Sequence, residues 1–337
     1  MPFVGEGCPI SAFMWVFSAL QQEMLVFVPY LENKALEIIP EMDVKMYVAT
    51  LICQPDNYRL NAELVMMVGD KINASKHVWL AENEAVDLFF CDEIQGFEFL
   101  WRGLERMGID FCVQHVFARR KSVLLADMDS TMIQQECIDE LAAEAGVGER
   151  VARVTAQAMN GEIDFEVALA ERVSHFKGLS ISLIDDVLNN RITLMPGGPE
   201  LVATMRKNGA YAAMVSGGFM DFTQVIAGRL GFDEKRANTL LQEGGKLTGE
   251  HGFPVLGKQA KVDALNEIVA EHGLTPNDVI AVGDGANDLG MLQLAGSGVA
   301  LHAKPAVAAE VSLRLNYADL TGLLYLQGYK KVDFVNV

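Results

Sequence analysis

Three short apolar runs, each closing on polar residues, set the pattern of this chain. Val123 to Ala126 runs into Asp127-Met128-Asp129-Ser130-Thr131, Ala210 to Val215 into Ser216-Gly217-Gly218, and Val279 to Val282 into Gly283-Asp284-Gly285-Ala286-Asn287-Asp288. Such unbroken runs are strands buried on both faces of a parallel sheet. Helical spacing fills the intervals at Leu201 to Asn208, Phe222 to Leu230 and Lys258 to His272. A hairpin is expected around Leu247 to Gly249, and further strands at Val299 to His302 and Val311 to Leu315. Strands alternating with helices predict an α/β fold with a doubly wound parallel sheet. Ligands of such sheets bind at the carboxyl ends of the strands, where the three polar endings fall.

Between the first two runs the pattern is helical, at Ile133 to Ala145, Arg150 to Met159, Asp164 to Lys177 and Ser180 to Asn189, until Met195-Pro196-Gly197-Gly198 breaks it. This insertion, at about 133–200, predicts a helical cap over the ligand edge. Upstream, strand-like runs at Met46 to Cys53, His77 to Leu80, Ala85 to Phe90 and Ile109 to Val116 alternate with helical spacing at Leu60 to Ile72 and Gly96 to Met107. That β-α-β-β-α-β order is the order of a split, ferredoxin-like α+β unit, and it resembles the small ACT-like domains attached to enzymes of amino-acid metabolism. Three regions follow: an N-terminal extension at 1–45, an ACT-like domain at 46–116, and an α/β domain at 117–337. Arg119-Arg120-Lys121 reads as a solvated connection between the last two.

Composition narrows the function. Of 337 residues, 50% are hydrophobic and 21% charged, and the net charge is -18. A field of that sign disfavours nucleic acid and anionic membrane surfaces. Phe13 to Tyr30 is apolar but broken by Gln21-Gln22-Glu23, with no basic region before it, so an apolar helix on the body or an extension outside the fold is expected rather than a span or a secretory signal. Cys8, Cys53, Cys91, Cys112 and Cys137 form no C-x-x-C pair and read as reduced thiols of a cytoplasmic protein. The six histidines show no zinc spacing.

Two carboxylates one residue apart, Asp127 and Asp129, repel unless a cation lies between them, and an all-oxygen set favours a hard ion, Mg²⁺. A calcium loop is excluded because Met132 stands where its glycine is needed and Ile138 where its closing acid is needed. Asp284 and Asp288 add acids at another strand end. Asp288 also occupies the third glycine position of a dinucleotide fingerprint, which disfavours a nucleotide cofactor. Ser216-Gly217-Gly218 offers a hydroxyl and backbone N–H groups to phosphate oxygens. Lys258 and Lys261 are both placed to bring a cation beside the acids, and the sequence alone does not separate them.

This ordered set resembles the four motifs of the haloacid dehalogenase superfamily of phosphohydrolases, and within it the branch that cleaves phosphoserine. The likeness runs from Ser122 to the C-terminus and includes Glu136-Cys137-Ile138-Asp139-Glu140 and Gly161-Glu162-Ile163-Asp164-Phe165. It implies that Asp127 is the nucleophile and that Asp129 is the acid and base. Mg²⁺ would be held by Asp127, Asp284 and the backbone carbonyl of Asp129, with Asp288 close behind. Ser216, Gly217 and Lys261, chosen over Lys258 by the family's spacing, would bind the phosphoryl oxygens, and Asn287 would orient the phosphorylated intermediate. In the cap, Glu136 would meet the ammonium and Arg172 the carboxylate of O-phospho-L-serine, with Phe165 and Met159 closing the pocket. Opposite charges matched to a zwitterion make physical sense, and arginine's fork suits a carboxylate. The alternatives are a phosphotransferase, a phosphatase for another small phosphomonoester, or a catalytically silent amino-acid sensor. A homodimer through the N-terminal domain is compatible with this layout.

Overall fold

In the computed structural model, which describes residues 46–54, 57, 59–91, 94–159 and 162–337, the first strand, β1 (Tyr47–Cys53), buries both of its faces. Ala49, Leu51 and Cys53 point to one core with Leu64, Val65 and Val68 of α1 (Ala62–Lys71), a helix started by the Asn61 side chain accepting from Leu64 N at 3.0 Å. β2 (Lys76–Ala81), β3 (Ala85–Phe90), α2 (Phe97–Glu105) and β4 (Ile109–His115) complete a four-stranded antiparallel sheet in the order β2-β3-β1-β4. The element order is the expected one. The apolar stretch Phe13 to Tyr30 lies outside the described residues.

The opposite face of this sheet is covered by the rest of the chain, because Ile52, Ala85 and Cys112 join its core. Polar residues tie the two together. Asp110 accepts from the backbone N–H groups of Asn316, Tyr317 and Ala318 at 2.7–3.2 Å, and Gln114 Nε2 donates to Leu326 O at 2.7 Å. The expectation of a solvated basic connection is corrected here. Arg119 lies in the seam, where its fork bonds Asp87 at 2.7 and 3.0 Å and also reaches Thr50 and the carbonyls of Tyr325 and Leu326. Arg120 stacks on Tyr329, and buried Lys121 donates to Asn277 O at 2.6 Å. A charge run reads as solvated from sequence because its partners lie more than thirty residues away, at Asp87 and Asn277.

β5 (Val123–Ala126) then enters the centre of a second sheet. α3 (Cys137–Glu144), α4 (Gly148–Met159), α5 (Phe165–Ser174) and α6 (Ser182–Asn190) form the helical insertion, and α7 (Gly198–Lys207) leads back to β6 (Tyr211–Phe219). α8 (Met220–Leu230), β7 (Glu234–Asn238), the hairpin β8 (Leu240–Glu243) and β9 (Lys246–His251), α9 (Lys258–Glu271), β10 (Val279–Gly283), α10 (Leu289–Leu294), β11 (Ser297–Leu301), α11 (Pro305–Ala308), β12 (Leu313–Leu315) and α12 (Gly322–Leu326) follow. The sheet is parallel, in the order β12-β11-β10-β5-β6-β7. Strands added first on one side of β5 and then on the other make it the switch point of a doubly wound sheet.

Two expectations fail locally. Residues 133–136 are not helical, since Ile133 bridges to Leu194 on the chain returning from the insertion and Gln135 Nε2 bonds Thr193 Oγ1 at 2.8 Å. Strand β7, Glu-Lys-Arg-Ala-Asn, escaped the pattern because an edge strand needs no apolar run. Among the described residues Cys53, Cys112 and Cys137 are free thiols, and no helix is long and apolar enough to cross a membrane.

Candidate active site

Strand register brings the site together. Ala126 pairs with Val282 on one side and Met214 on the other, so Asp127, Asp284 and Ser216 emerge within one or two residues of the same level. A single-residue slip would turn these side chains into the sheet's covering layers. The Asp127 N–H donates to Val282 O at 3.1 Å, extending the ladder one step into the rim.

Asp127, Asp284 and Asp288 converge so that one oxygen from each lies within 4.8 Å of the others. Lys261, fully buried on α9, bridges two of them, with Nζ 2.6 Å from Asp127 Oδ1 and 2.5 Å from Asp288 Oδ1. Lys258, one turn earlier, is exposed. The second oxygen of Asp288 accepts the Gly285 N–H at 3.0 Å, which fixes that carboxylate. Asp129 faces elsewhere: its Oδ1 accepts the Cys137 N–H at 3.1 Å at the start of α3.

Ser216-Gly217-Gly218 lie within β6, which runs on to Phe219 instead of ending at Val215, and there Gly218 N donates to Ser216 Oγ at 2.9 Å. Gly218 has no room for a side chain, since a Cβ there would lie 2.8 Å from Asp129 Oδ2 and 3.1 Å from Ser216 Oγ. Three carboxylates and a lysine are thus grouped at the strand ends, while Asp129 and the Ser216 hydroxyl both lie close to Gly218.

Comparison with known proteins fits this geometry. The sequence pattern of haloacid dehalogenase-like hydrolases matches residues 124–293. The chain belongs to this family. A probable phosphoserine phosphatase of Schizosaccharomyces pombe is 44% identical over 226 residues, covering 66% of this chain and 76% of that one. A phosphoserine phosphatase of Archaeoglobus fulgidus is 40% identical over 240 residues, covering 71% and 70%. The crystal structure of a probable phosphoserine phosphatase from Vibrio cholerae superposes with a TM-score of 0.69 at 31% identity, over 89% of this chain and 94% of that one.

In this haloacid dehalogenase-like hydrolase the acids are held away from their ordinary behaviour. Burial, then the charge of Asp288, pushes the Asp127 carboxyl well up, against the pull of Lys261. Burial and Glu136 push Asp129 up to about 7, and burial, Asp288 and Glu136 push Asp284 up to about 6. Burial works against the charge of Lys261, yet Asp127 and Asp288 outweigh it and raise its pKa. Carboxylates crowded until they resist ionisation, with oxygen the only donor, suit a hard divalent cation. Asp127, Asp284 and Asp288 fit such an ion.

Glu136, Arg172 and Phe165 of the cap lie near this rim. Glu136 is exposed just before α3 and accepts from Ser130 Oγ at 2.7 Å. Arg172 on α5 is half-buried, its guanidinium pKa lowered by burial against the charges of Asp139 and Glu136. Phe165, at the start of α5, hangs over the far side, its ring 3.7 Å from where a Cβ on Gly217 would lie and 3.4 Å from one on Gly257. Asn287 is exposed beside Gly285, and Met159 ends α4. Sequence reasoning missed Asn238, buried at the end of β7, whose amide bonds Gly217 O at 2.8 Å. With the edge strand unread, nothing marked it. An open groove of about 660 Å³, lined by Arg206, Lys207, Tyr211 and His272, lies at the amino end of β6, away from the acids.

Proposed function

We propose that the protein is a Mg²⁺-dependent phosphatase that hydrolyses O-phospho-L-serine to L-serine and phosphate, serving serine synthesis. The observation that carries this reading is the buried Lys261 bridging Asp127 and Asp288. The relatives named phosphoserine phosphatase supply the substrate.

In this reading a free carboxylate oxygen of Asp127 attacks phosphorus as the bond to the serine oxygen breaks. Asp129, kept protonated near neutrality, gives its proton to that oxygen. Asp129 then takes a proton from water, which attacks phosphorus and breaks the aspartyl-phosphate bond, releasing phosphate and restoring Asp127. Lys261, Ser216 Oγ and the Gly217 N–H hold the equatorial oxygens, where charge must be stabilised without reorganisation. Asn287 orients the intermediate. Asp127, Asp284 and the Asp129 carbonyl, with Asp288 behind, would hold Mg²⁺, whose positive charge would offset the negative charge of the phosphoryl oxygens. Glu136 receives the substrate ammonium and Arg172 its carboxylate, with Phe165 and Met159 closing the pocket.

We also read residues 46–116 as an ACT-like domain, compatible with the four-stranded antiparallel sheet, and 117–337 as the phosphatase domain with its cap at about 133–200, after a 1–45 extension. A homodimer through the small domain and a cytoplasmic location, consistent with the free thiols, belong to the same proposal. Phosphate release from O-phospho-L-serine, with and without Mg²⁺, tests the core of it. Fast metal-dependent release that vanishes in Asp127→Asn, with folding retained, is expected. Cleavage of an aryl phosphate but not of phosphoserine would overturn the roles of Glu136 and Arg172 and leave the nucleophile standing.

A further inference from the structure

Within β6, the stretch Ser216-Gly217-Gly218 lies where pairing with β7 lapses. β6 and β7 pair at Val215↔Arg236 and again at Phe219↔Asn238, with the register broken between. Backbone that leaves a ladder needs other partners, and the Asn238 side chain supplies them. Its Nδ2 donates to Gly217 O at 2.8 Å and to Leu256 O at 3.2 Å, while its Oδ1 accepts from Leu256 N at 2.7 Å. Buried to 2% exposure, the amide uses both donors and its acceptor.

These three bonds reach two different parts of the crevice. In a trans peptide the C=O and the following N–H point in opposite directions. Anchoring Gly217 O towards β7 therefore turns the Gly218 N–H towards Ser216 Oγ, which it meets at 2.9 Å. Leu256, held through both its N–H and its C=O, directly precedes Gly257, the N-cap of α9, the helix that carries Lys261. Phe165 of the cap lies over both tethered segments, at Gly217 and Gly257. One side chain thus joins the element bearing the hydroxyl to the element bearing the cation.

We infer that Asn238 is a positioning residue that sets the spacing between the Ser216-Gly217-Gly218 stretch of β6 and Lys261, and so determines affinity for the phosphoryl group. This rests on the phosphatase reading. It hydrogen-bonds the scaffold of the phosphoryl subsite and neither Glu136 nor Arg172, the residues assigned to the serine ammonium and carboxylate. Loss of its donors therefore weakens phosphate and spares L-serine.

The test uses the full chain loaded with Mg²⁺ and the variant Asn238→Asp, which keeps the shape and the acceptor for Leu256 N but loses both donors. The expected result is a rise of about tenfold or more in KM for phosphoserine. The inhibition constant of inorganic phosphate rises in parallel, and that of L-serine does not change. Asn238→Ala, which adds no charge, is measured beside it in case the aspartate fails to fold. Phosphate and L-serine affinities that fall together, or a phosphate affinity that does not fall, would overturn the proposal. Calorimetric binding of inorganic phosphate needs no phosphoserine turnover. A wild-type chain that binds phosphate but leaves phosphoserine uncut would sink the substrate reading, and Asn238 would then be judged on the phosphate affinity of its variants alone.

Discussion

Replacing Arg119 with methionine should loosen the small sheet from the phosphatase body while leaving the chemistry intact. The side chains of Arg119 and Asp87 are only 9% and 3% exposed, and their contact is a two-bond fork. Methionine fills much of the arginine stem's volume, so the loss is mainly polar. Asp87 would keep a single donor, Thr50 Oγ1 at 2.7 Å. Leu326 O would keep Gln114, while Tyr325 O would lose its arginine donor. Removing one partner of a buried pair costs about 3–5 kcal/mol, which multiplies the undocked population about a hundredfold to several thousandfold. The assay follows from where the tryptophans lie. Of the three tryptophans, Trp79 and Trp101 are in the small module, on β2 and α2, and Trp15 lies outside the described residues, so against a Trp15→Phe background tryptophan fluorescence in a urea titration follows that module and phosphate release follows the other. The fluorescence midpoint should fall by about 1 M or more, given slopes of about 1–3 kcal/mol per M, and turnover without urea should stay near normal. A double-mutant cycle with Asp87→Ala should give a coupling above about 1 kcal/mol. Additive effects, or an unmoved midpoint, would refute the idea that the seam depends on this pair.

Three further outcomes are expected. Gly218→Ala would push a methyl into Asp129 Oδ2 and Ser216 Oγ and lower kcat/KM about a hundredfold with little change in unfolding. Asp129, the proposed proton donor to the leaving oxygen, is pushed up to about 7. Its acid form is therefore lost as pH rises through that value, and kcat/KM should fall with unit slope above it. Lys261→Ala strands Asp127 and Asp288 against each other and should cost about 3–5 kcal/mol on denaturation together with all measurable turnover, whereas Lys258→Ala, at an exposed position, should stay within about 0.5 kcal/mol of wild type.

The sequence by itself determined the central architecture, because buried strands must be continuously apolar and their endings stand out against that background. Val123 to Ala126 and Val279 to Val282 were legible as strands for this reason, and the acids that follow them as a cation site. The tertiary structure decided what depends on distant partners. Lys258 and Lys261 are equivalent cations in one dimension, and only the packing of α9 buries one between Asp127 and Asp288 while exposing the other. Arg119 reads as a surface charge until Asp87, more than thirty residues earlier, meets it in the seam. Asn238 carries no pattern at all. It ends a polar edge strand, and its value comes from a lapse in pairing that the sheet, folded in three dimensions, leaves at Gly217. Periodicity records which face of an element is buried, whereas a hydrogen-bonded partner is chosen by direction and distance, which only the assembled fold supplies.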